Sequence, residues 1–297
     1  MRLTLIVLLC LLNTGCALFR ADREEPVEPP KRTTPKAEEV LRPSDVLKPK
    51  SLEVASPVSD QFAMRILYFP ASVSTDLQFD PQLGTPGTRL NAEKDLGLDD
   101  RIDQGRMEVD LRLKKYHHLR VDFFKLSRFH EARLARDIQF GDFFYPATTN
   151  FRTNFDWRVF TLTHSYSFVH RERWEMGGGL GIHIIQARAE GGTPGTLARE
   201  KTSKDGIFPT FGLNTAFRIS KRWAATARAQ YFRASPEEFD GAMSDYHADL
   251  QYRWRKNFAV GIGFTKLGTH LKVRDQNEPI LFDLDTTGPE LFLRASF

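Results

Sequence analysis

The stretch Gly288-Pro-Glu-Leu-Phe-Leu-Arg-Ala-Ser-Phe297 alternates between apolar and polar side chains along most of its length. Successive side chains of a β-strand point to opposite faces of its sheet, so residues two apart share a face. The apolar face carries Leu291, Leu293, Ala295 and Phe297. The other face carries Glu290, Arg294 and Ser296, and Phe292 interrupts it. The stretch therefore predicts a strand with one apolar and one mostly polar face.

The same alternation recurs in earlier segments, where charged residues often occupy the polar face. It is found at residues 107–114, 223–231, 246–255 and 258–264. In the third of these, Tyr246 and Trp254 lie on the apolar face, and Asp249 and Arg253 lie on the other. Repeated alternation with a basic polar face is typical of a transmembrane β-barrel whose apolar face contacts lipid.

Composition excludes several other classes of protein. The mean hydropathy is −0.40, and after the first dozen residues no apolar run approaches the roughly 18 residues that a spanning helix needs. The net charge of +4 is spread among nearly as many acidic residues as basic ones, so no nucleic-acid partner is predicted. A barrel fits this composition because only every second residue of its strands faces lipid.

The connections between the alternating segments are short and long in turn. Short turns are predicted at residues 115–118, 170–173, 220–222 and 255–257. Long loops are predicted at residues 77–104, 135–150, 189–205, 234–245 and 274–282. Outer-membrane barrels have short periplasmic turns and long extracellular loops. The pattern predicts an all-β fold, a transmembrane antiparallel up-and-down barrel of ten strands over residues 61–297, with eight strands as the alternative.

Two features resemble known Gram-negative outer-membrane barrels. The strand that ends on Phe297 resembles the last strand of such proteins, which the barrel assembly machinery reads as a signal. Residues 87–100, with Tyr116-His-His-Leu-Arg120 and Phe140-Gly-Asp142, resemble a family of proteobacterial barrels similar in architecture to OmpW-like and OmpA-like barrels. The resemblance covers residues 62–297. It implies a fold and an outer-membrane location, without implying an activity.

The amino-terminal part of the sequence contains a predicted export signal, a predicted lipidation site and a predicted linker. Residues 1–15 combine one positive charge with a short apolar core and are interpreted as a signal peptide. Cys16 follows a stretch that resembles a lipoprotein cleavage box and is the predicted lipidation site, while simple cleavage after Ala17 is the alternative. Residues 16–60 are rich in proline and poor in apolar residues, which predicts a disordered periplasmic linker with a possible periplasmic partner.

Charged residues on the inward face predict a network that fills a narrow lumen. Ten strands leave little interior space, and buried charges of both signs are expected to pair there. We therefore expect a plugged barrel. The predicted members of the network are Glu108, Asp110, Arg112, Arg120, Asp122, Arg228, Asp249, Arg253, Glu290 and Arg294.

Candidate catalytic groups are sparse. Strand parity places His164 on the outer face and Ser165 and Ser167 on the inner face, so these groups cannot exchange a proton directly. Four further residues could lie near the extracellular rim, as in omptin-like proteases, but match no motif: Asp240, Asp245, His247 and His270. His117 and His118 lack further ligands at metal-binding spacing.

The sequence therefore predicts a non-enzymatic outer-membrane barrel without catalytic residues, metal or cofactor. It would act through its extracellular loops or as a structural envelope protein. Its expected partners are outer-membrane lipid, lipopolysaccharide and the assembly machinery. The alternatives are a channel for small solutes or hydrophobic compounds, and a barrel enzyme acting on lipid A or peptides.

Overall fold

A computed structural model describes residues 56–80, 87–195, 199–236, 239–273 and 280–297. The predicted signal peptide, Cys16 and the linker up to residue 55 lie outside these described residues. Within them, no helix is long and apolar enough to cross a membrane.

The described residues form thirteen strands, ten of which build a closed antiparallel barrel. The strands are β1 (Phe62–Phe79), β2 (Leu90–Asn91), β3 (Arg101–Lys114), β4 (His117–Arg133), β5 (Ile138–Phe140), β6 (Phe143–Tyr145), β7 (Asn150–His170), β8 (Trp174–Gly192), β9 (Arg199–Arg218), β10 (Trp223–Ala234), β11 (Phe239–Arg255), β12 (Phe258–Val273) and β13 (Ile280–Ser296). The order is β13-β12-β11-β10-β9-β8-β7-β4-β3-β1, and β13 pairs with β1 to close the barrel. The prediction of ten strands is confirmed.

Two of the predicted long loops are shorter than expected. β8 continues to Gly192 and β9 begins at Arg199, and β10 and β11 are separated only by residues 235–238. β8, β9 and β11, with 19, 20 and 17 residues, extend well past the roughly 9–11 residues that cross a bilayer. The sequence prediction ended the strands too early because it followed only the apolar stripe that faces lipid.

The polarity of the barrel wall reverses along several of its strands. In β7, Phe160 and Phe168 are exposed on the outer face of the half that leads to the short turn, whereas Phe155 and Trp157 are buried on the inner face of the other half. β12 and β13 show the same reversal, with Ile262 and Leu291 exposed on the outer face and Leu267 and Leu284 buried on the inner face. On these strands the outer surface is apolar at one end of the barrel and polar at the other. We call the apolar part of the outer surface, next to the short turns, the apolar belt. The interior of the barrel is charged at the height of this belt and apolar beyond it.

The interior beyond the belt is a hydrophobic core that two of the connections cover. Leu90 and Leu96 from the β1–β3 connection and Phe140 and Tyr145 from the β4–β7 connection are buried in this core. The Phe79 and Phe140 ring centroids are 4.9 Å apart. The two connections are joined by a hydrogen bond from the Thr88 amide to the Gln139 carbonyl at 2.9 Å.

Aromatic residues mark the end of the belt at the short turns. Trp174, Trp223 and Trp254 are about two-fifths exposed on the outer face, as expected for an interfacial girdle. Phe297 is also exposed there, and its amide donates to the Phe62 carbonyl at 2.9 Å. The described end of the chain is thereby tied to the first strand.

Candidate functional site

The lumen inside the apolar belt contains a buried cluster of charged side chains from six strands, β1, β3, β4, β10, β11 and β13. Alternation directs these side chains inward, away from the lipid-facing surface. Every member is at most 8% exposed. The members are Arg65, Arg106 and Arg228 with Glu108, Asp122, Asp245, Asp249 and Glu290.

Glu108 lies at the centre of this lumen cluster. Its carboxylate is fully buried and forms ion pairs with three guanidinium groups. Arg65 Nη1 is 3.3 Å from Oε2, Arg106 Nε is 3.5 Å from Oε1, and Arg228 Nη2 donates to Oε1 at closer range. These arginines belong to β1, β3 and β10, so Glu108 connects strands on different sides of the lumen.

Arg65 extends the cluster toward β11 and β13. Its Nη2 is 3.0 Å from Asp249 Oδ2 and 3.5 Å from Glu290 Oε1, and its guanidinium carbon lies 4.0 Å from the centre of the Phe292 ring. His247 lies between the same carboxylates, with Nε2 3.0 Å from Asp249 and Nδ1 3.1 Å from Glu290.

The donor atoms of His247, Asp249 and Glu290 lie within 4.8 Å of one another, close enough to surround a metal ion. The guanidinium of Arg65 already supplies a positive charge between the two carboxylates. A divalent cation at this position would meet that charge at close range. We therefore assign these three residues to the ion-pair cluster.

A second charged layer closes the end of the lumen at the short turns. Arg112 forms a two-pronged pair with Glu175, with contacts of 2.9 and 2.8 Å. Glu175 also accepts hydrogen bonds from Ser167 at 2.7 Å and contacts His118 Nε2 at 2.9 Å. The same layer includes the pair between Asp110 and Arg120.

Residues 56–60 fold into the mouth of the barrel at this layer. The Asp60 carboxylate is buried and accepts from Arg253 at 2.8 Å and Arg294 at 3.2 Å. Arg112 donates to the Val58 carbonyl at 2.8 Å. Residues 56–60, which the sequence analysis placed in the linker, are therefore held in the mouth by these ion pairs and hydrogen bonds.

The predicted network and the observed contacts differ in their pairing. All ten predicted residues line the lumen, but Arg112 and Arg253 pair with Glu175 and Asp60, which the prediction did not include. It also missed Arg65, Arg106 and Asp245. Strand parity could have found Arg65 and Arg106, since both alternate with the lipid-facing residues of their strands.

Beyond the belt, the outer wall carries exposed ion pairs. Asn91 Nδ2 donates to Asp76 at 2.9 Å and Arg89 Nη2 donates at 3.0 Å. The hydrogen bond from Asn91, followed by the charge of Arg89, holds the pKa of Asp76 below its ordinary value. Asp76 lies six residues beyond Pro70, where the apolar belt ends on β1.

The structure does not bring together the candidate catalytic residues named in the sequence analysis. His164 faces outward and its Nε2 is 3.2 Å from His117 Nδ1, whereas Ser165 and Ser167 are buried on the inner face, as parity predicted. The expectation that Asp245 and His247 lie at the rim is wrong, because both face the lumen and are buried in the ion-pair cluster.

His270 is the remaining histidine of the rim set. It lies on the outer wall and is hydrogen-bonded to Asp283. The inward Asp245 and His247 and the outward His270 are therefore separated by the barrel wall. These three residues therefore do not form a shared acid–base site.

Small cavities remain between the charged side chains. One of about 70 Å³ is lined by Asp60, Arg65, Arg112 and Arg294 among others. Another of about 40 Å³ is lined by Asp110, Arg120 and Ser165 among others. These volumes accommodate a few water molecules next to polar groups.

No family model and no curated protein matches the chain. Solved structures to which the chain is similar include the Escherichia coli outer-membrane protease OmpT, with 11% identity, coverage of 83% of this chain and 100% of OmpT, and a TM-score of 0.46. The transport unit of the Escherichia coli autotransporter AIDA-I has 9% identity, 80% and 90% coverage, and a TM-score of 0.41. The Pseudomonas putida toluene transporter TodX has 7% identity, 82% and 93% coverage, and a TM-score of 0.34. At these identities and scores the comparisons do not bear on activity or ligands.

Proposed function

We propose that this chain is a sealed, non-enzymatic outer-membrane barrel that acts through the surface it presents outside the cell. The observation that carries the proposal is the filling of the lumen at three successive levels. The turn of residues 56–60 occupies one mouth, the ion-pair cluster around Glu108 fills the belt, and the hydrophobic core occupies the rest.

The charge cluster argues against a solute pathway through the belt. A conducting pore needs a continuous line of water, but the guanidinium groups of Arg65, Arg106 and Arg228 contact carboxylates from several strands. Moving these groups aside would separate desolvated opposite charges, which is strongly unfavourable in a low-dielectric interior. The hydrophobic core above the cluster adds a second barrier for ions and polar metabolites.

With the lumen filled, the available surfaces are the outer wall and the long connections. The outer wall beyond the belt carries many charged side chains, in keeping with contact to lipopolysaccharide or to other macromolecules. A periplasmic partner for the linker belongs to the same proposal. Lipidation at Cys16 and recognition of Phe297 by the barrel assembly machinery remain predictions from the sequence.

Planar-bilayer recording tests the sealed state. The purified wild-type barrel should give no steady conductance in symmetric potassium chloride, under conditions where a general porin gives large steps. Unheated and heated samples on a denaturing gel establish that the inserted protein is folded. Stable single-channel steps from folded wild-type protein would overturn the proposal and favour the channel alternative.

A further inference from the structure

Two cations of the outer wall face each other at the upper edge of the apolar belt. Lys125 on β4 and Arg158 on β7 are directly opposite in the antiparallel register. One step toward the short turns, Phe123 is opposite Phe160, and Phe160 is opposite Ile184. These three apolar side chains are exposed on the outer face. The two cations therefore lie at the height where lipid headgroups meet the acyl-chain region.

The pairing of these two cations is unfavourable for the barrel itself. Like charges directly opposite each other on neighbouring strands are destabilising. Within the part of the chain that the structure describes, neither Lys125 nor Arg158 has a carboxylate at ion-pair distance. Asp156, the next outward residue on β7, instead accepts a hydrogen bond from Ser127.

Other cations farther from the belt do have partners. Arg89 pairs with Asp76 at 3.0 Å, Arg136 with Asp95 at 2.9 Å, and Arg152 with Glu131 at 3.0 Å. The chain thus neutralises these cations in the aqueous part of the wall. It leaves an adjacent pair without a protein counter-ion at the level of the headgroups.

We infer that Lys125 and Arg158 bind a phosphate group of an outer-leaflet glycolipid of the lipid A type. An arginine and a lysine side by side match the charge and the acceptor oxygens of a phosphate. The exposed side chains of Phe123 and Phe160 lie one step closer to the short turns, where an acyl chain of the same lipid would pack. The inference rests on the proposed action through the outer surface and identifies one ligand of that surface.

The test compares two double variants that remove the same charge. Lys125→Gln with Arg158→Gln removes the facing pair. Lys266→Gln with Arg233→Gln removes two exposed cations, each the first charged outward residue beyond the apolar stripe of its strand. Their cross-strand neighbours include Tyr246, Thr287 and Ala242, none of which is charged. Both variants change only outward side chains, and the heat-dependent gel shift establishes that each barrel is folded.

Binding is measured by native mass spectrometry of detergent-purified barrels titrated with diphosphoryl lipid A or with its fully dephosphorylated form. Wild type and the Lys266/Arg233 variant should prefer the phosphorylated lipid by about ten-fold, as expected for two charge-assisted contacts. The Lys125/Arg158 variant should lose this preference. An unchanged preference in that variant, or an equal loss in both variants, would overturn the site.

Thermal unfolding provides a second readout that does not depend on mass spectrometry. Without lipid A, the Lys125/Arg158 variant should unfold at a temperature equal to or above that of wild type, since a repulsion is removed. Adding diphosphoryl lipid A should raise the wild-type midpoint and leave that of the variant unchanged. An equal rise in both would contradict the inference. Neither result depends on conductance, so failure of this site is distinguishable from failure of the sealed-barrel proposal.

Discussion

Replacing Arg65 by methionine tests how much the lumen cluster contributes to stability. The substitution keeps most of the side-chain volume and removes a buried guanidinium that contacts Glu108, Asp249 and Glu290. His247 and Arg228 still contact these carboxylates, but the central positive charge between β1, β11 and β13 is lost. Removing one partner of a buried ion pair typically costs about 3–5 kcal/mol, because the remaining charge is desolvated and uncompensated.

Arg152→Met is the matched control. Arg152 also pairs with a carboxylate, Glu131 at 3.0 Å, and also lies over a phenylalanine ring, that of Phe129. Its side chain is 50% exposed, compared with 5% for Arg65. An exposed pair with an exposed cation–π contact contributes about 1 kcal/mol.

Arg65 and Arg152 differ in burial and in the number of carboxylates they contact, three against one, so the comparison measures the buried network against a single exposed pair. Equilibrium unfolding in guanidinium chloride from lipid vesicles, followed by tryptophan fluorescence, gives the free energy of each protein. The expected loss for Arg65→Met is several-fold larger than for Arg152→Met. Equal losses would refute the view that the lumen cluster is a desolvated ion-pair network, and would indicate that water reaches Arg65 freely.

Three further outcomes are expected. Trp157→Ala should lower the free energy of unfolding by about 3–5 kcal/mol in the same titration, because Trp157 is fully buried in the core beyond the belt; a loss below that of an exposed-residue variant would contradict this core. Asp60→Asn should release the turn of residues 56–60 and make it cleavable by added protease in folded barrels, because the carboxylate charge that holds Arg253 and Arg294 is lost; equal protection of both proteins would argue against the anchor. The stabilisation by Asp76 should be fully present above its unfolded pKa of about 3.9 and should disappear as the pH falls through its lower folded pKa. Wild type and Asp76→Asn should therefore differ in stability at pH 6 and converge in strong acid, and a constant difference would exclude the linkage.

Strand number and facing could be predicted because each rests on local alternation. Leu291, Leu293 and Phe297 face outward and Glu290 and Arg294 face inward, as the period of two requires. The partners of each charge could not be predicted in this way, since pairing across a lumen depends on strand tilt and register around the whole barrel. Arg112 illustrates the limit: its parity was clear, but its partner Glu175 lies 63 residues away on β8.

The reversal of polarity was missed for a different reason. Where the apolar residues of a strand switch from the outer to the inner face, two apolar residues become neighbours in the sequence. Val159 and Phe160 on β7 are such a pair. In a single strand, one such pair cannot be distinguished from an irregular alternation. Such pairs indicate a reversal of polarity only when those of neighbouring strands lie at the same level. Phe160 is level with Phe123 on β4 and with Ile184 on β8, which is followed directly by the inward Ile185.

The reversal also explains why the charges lie where they do. Inside the belt the outer face must be apolar to contact lipid, so an apolar inner face would make each strand hydrophobic on both sides. Segments of that kind with high β-propensity and little charge aggregate readily before a barrel closes. Beyond the belt the outer face contacts water, and burying Trp157, Phe155 and Leu284 inside then provides the hydrophobic stabilisation of a water-exposed β-barrel. Phe292 is an inward exception, and its ring lies against the Arg65 guanidinium. Most of each described strand has one apolar face at a given height, and the ion pairs of Glu108 and Arg65 fill the interior region where a wholly apolar core would conflict with that arrangement.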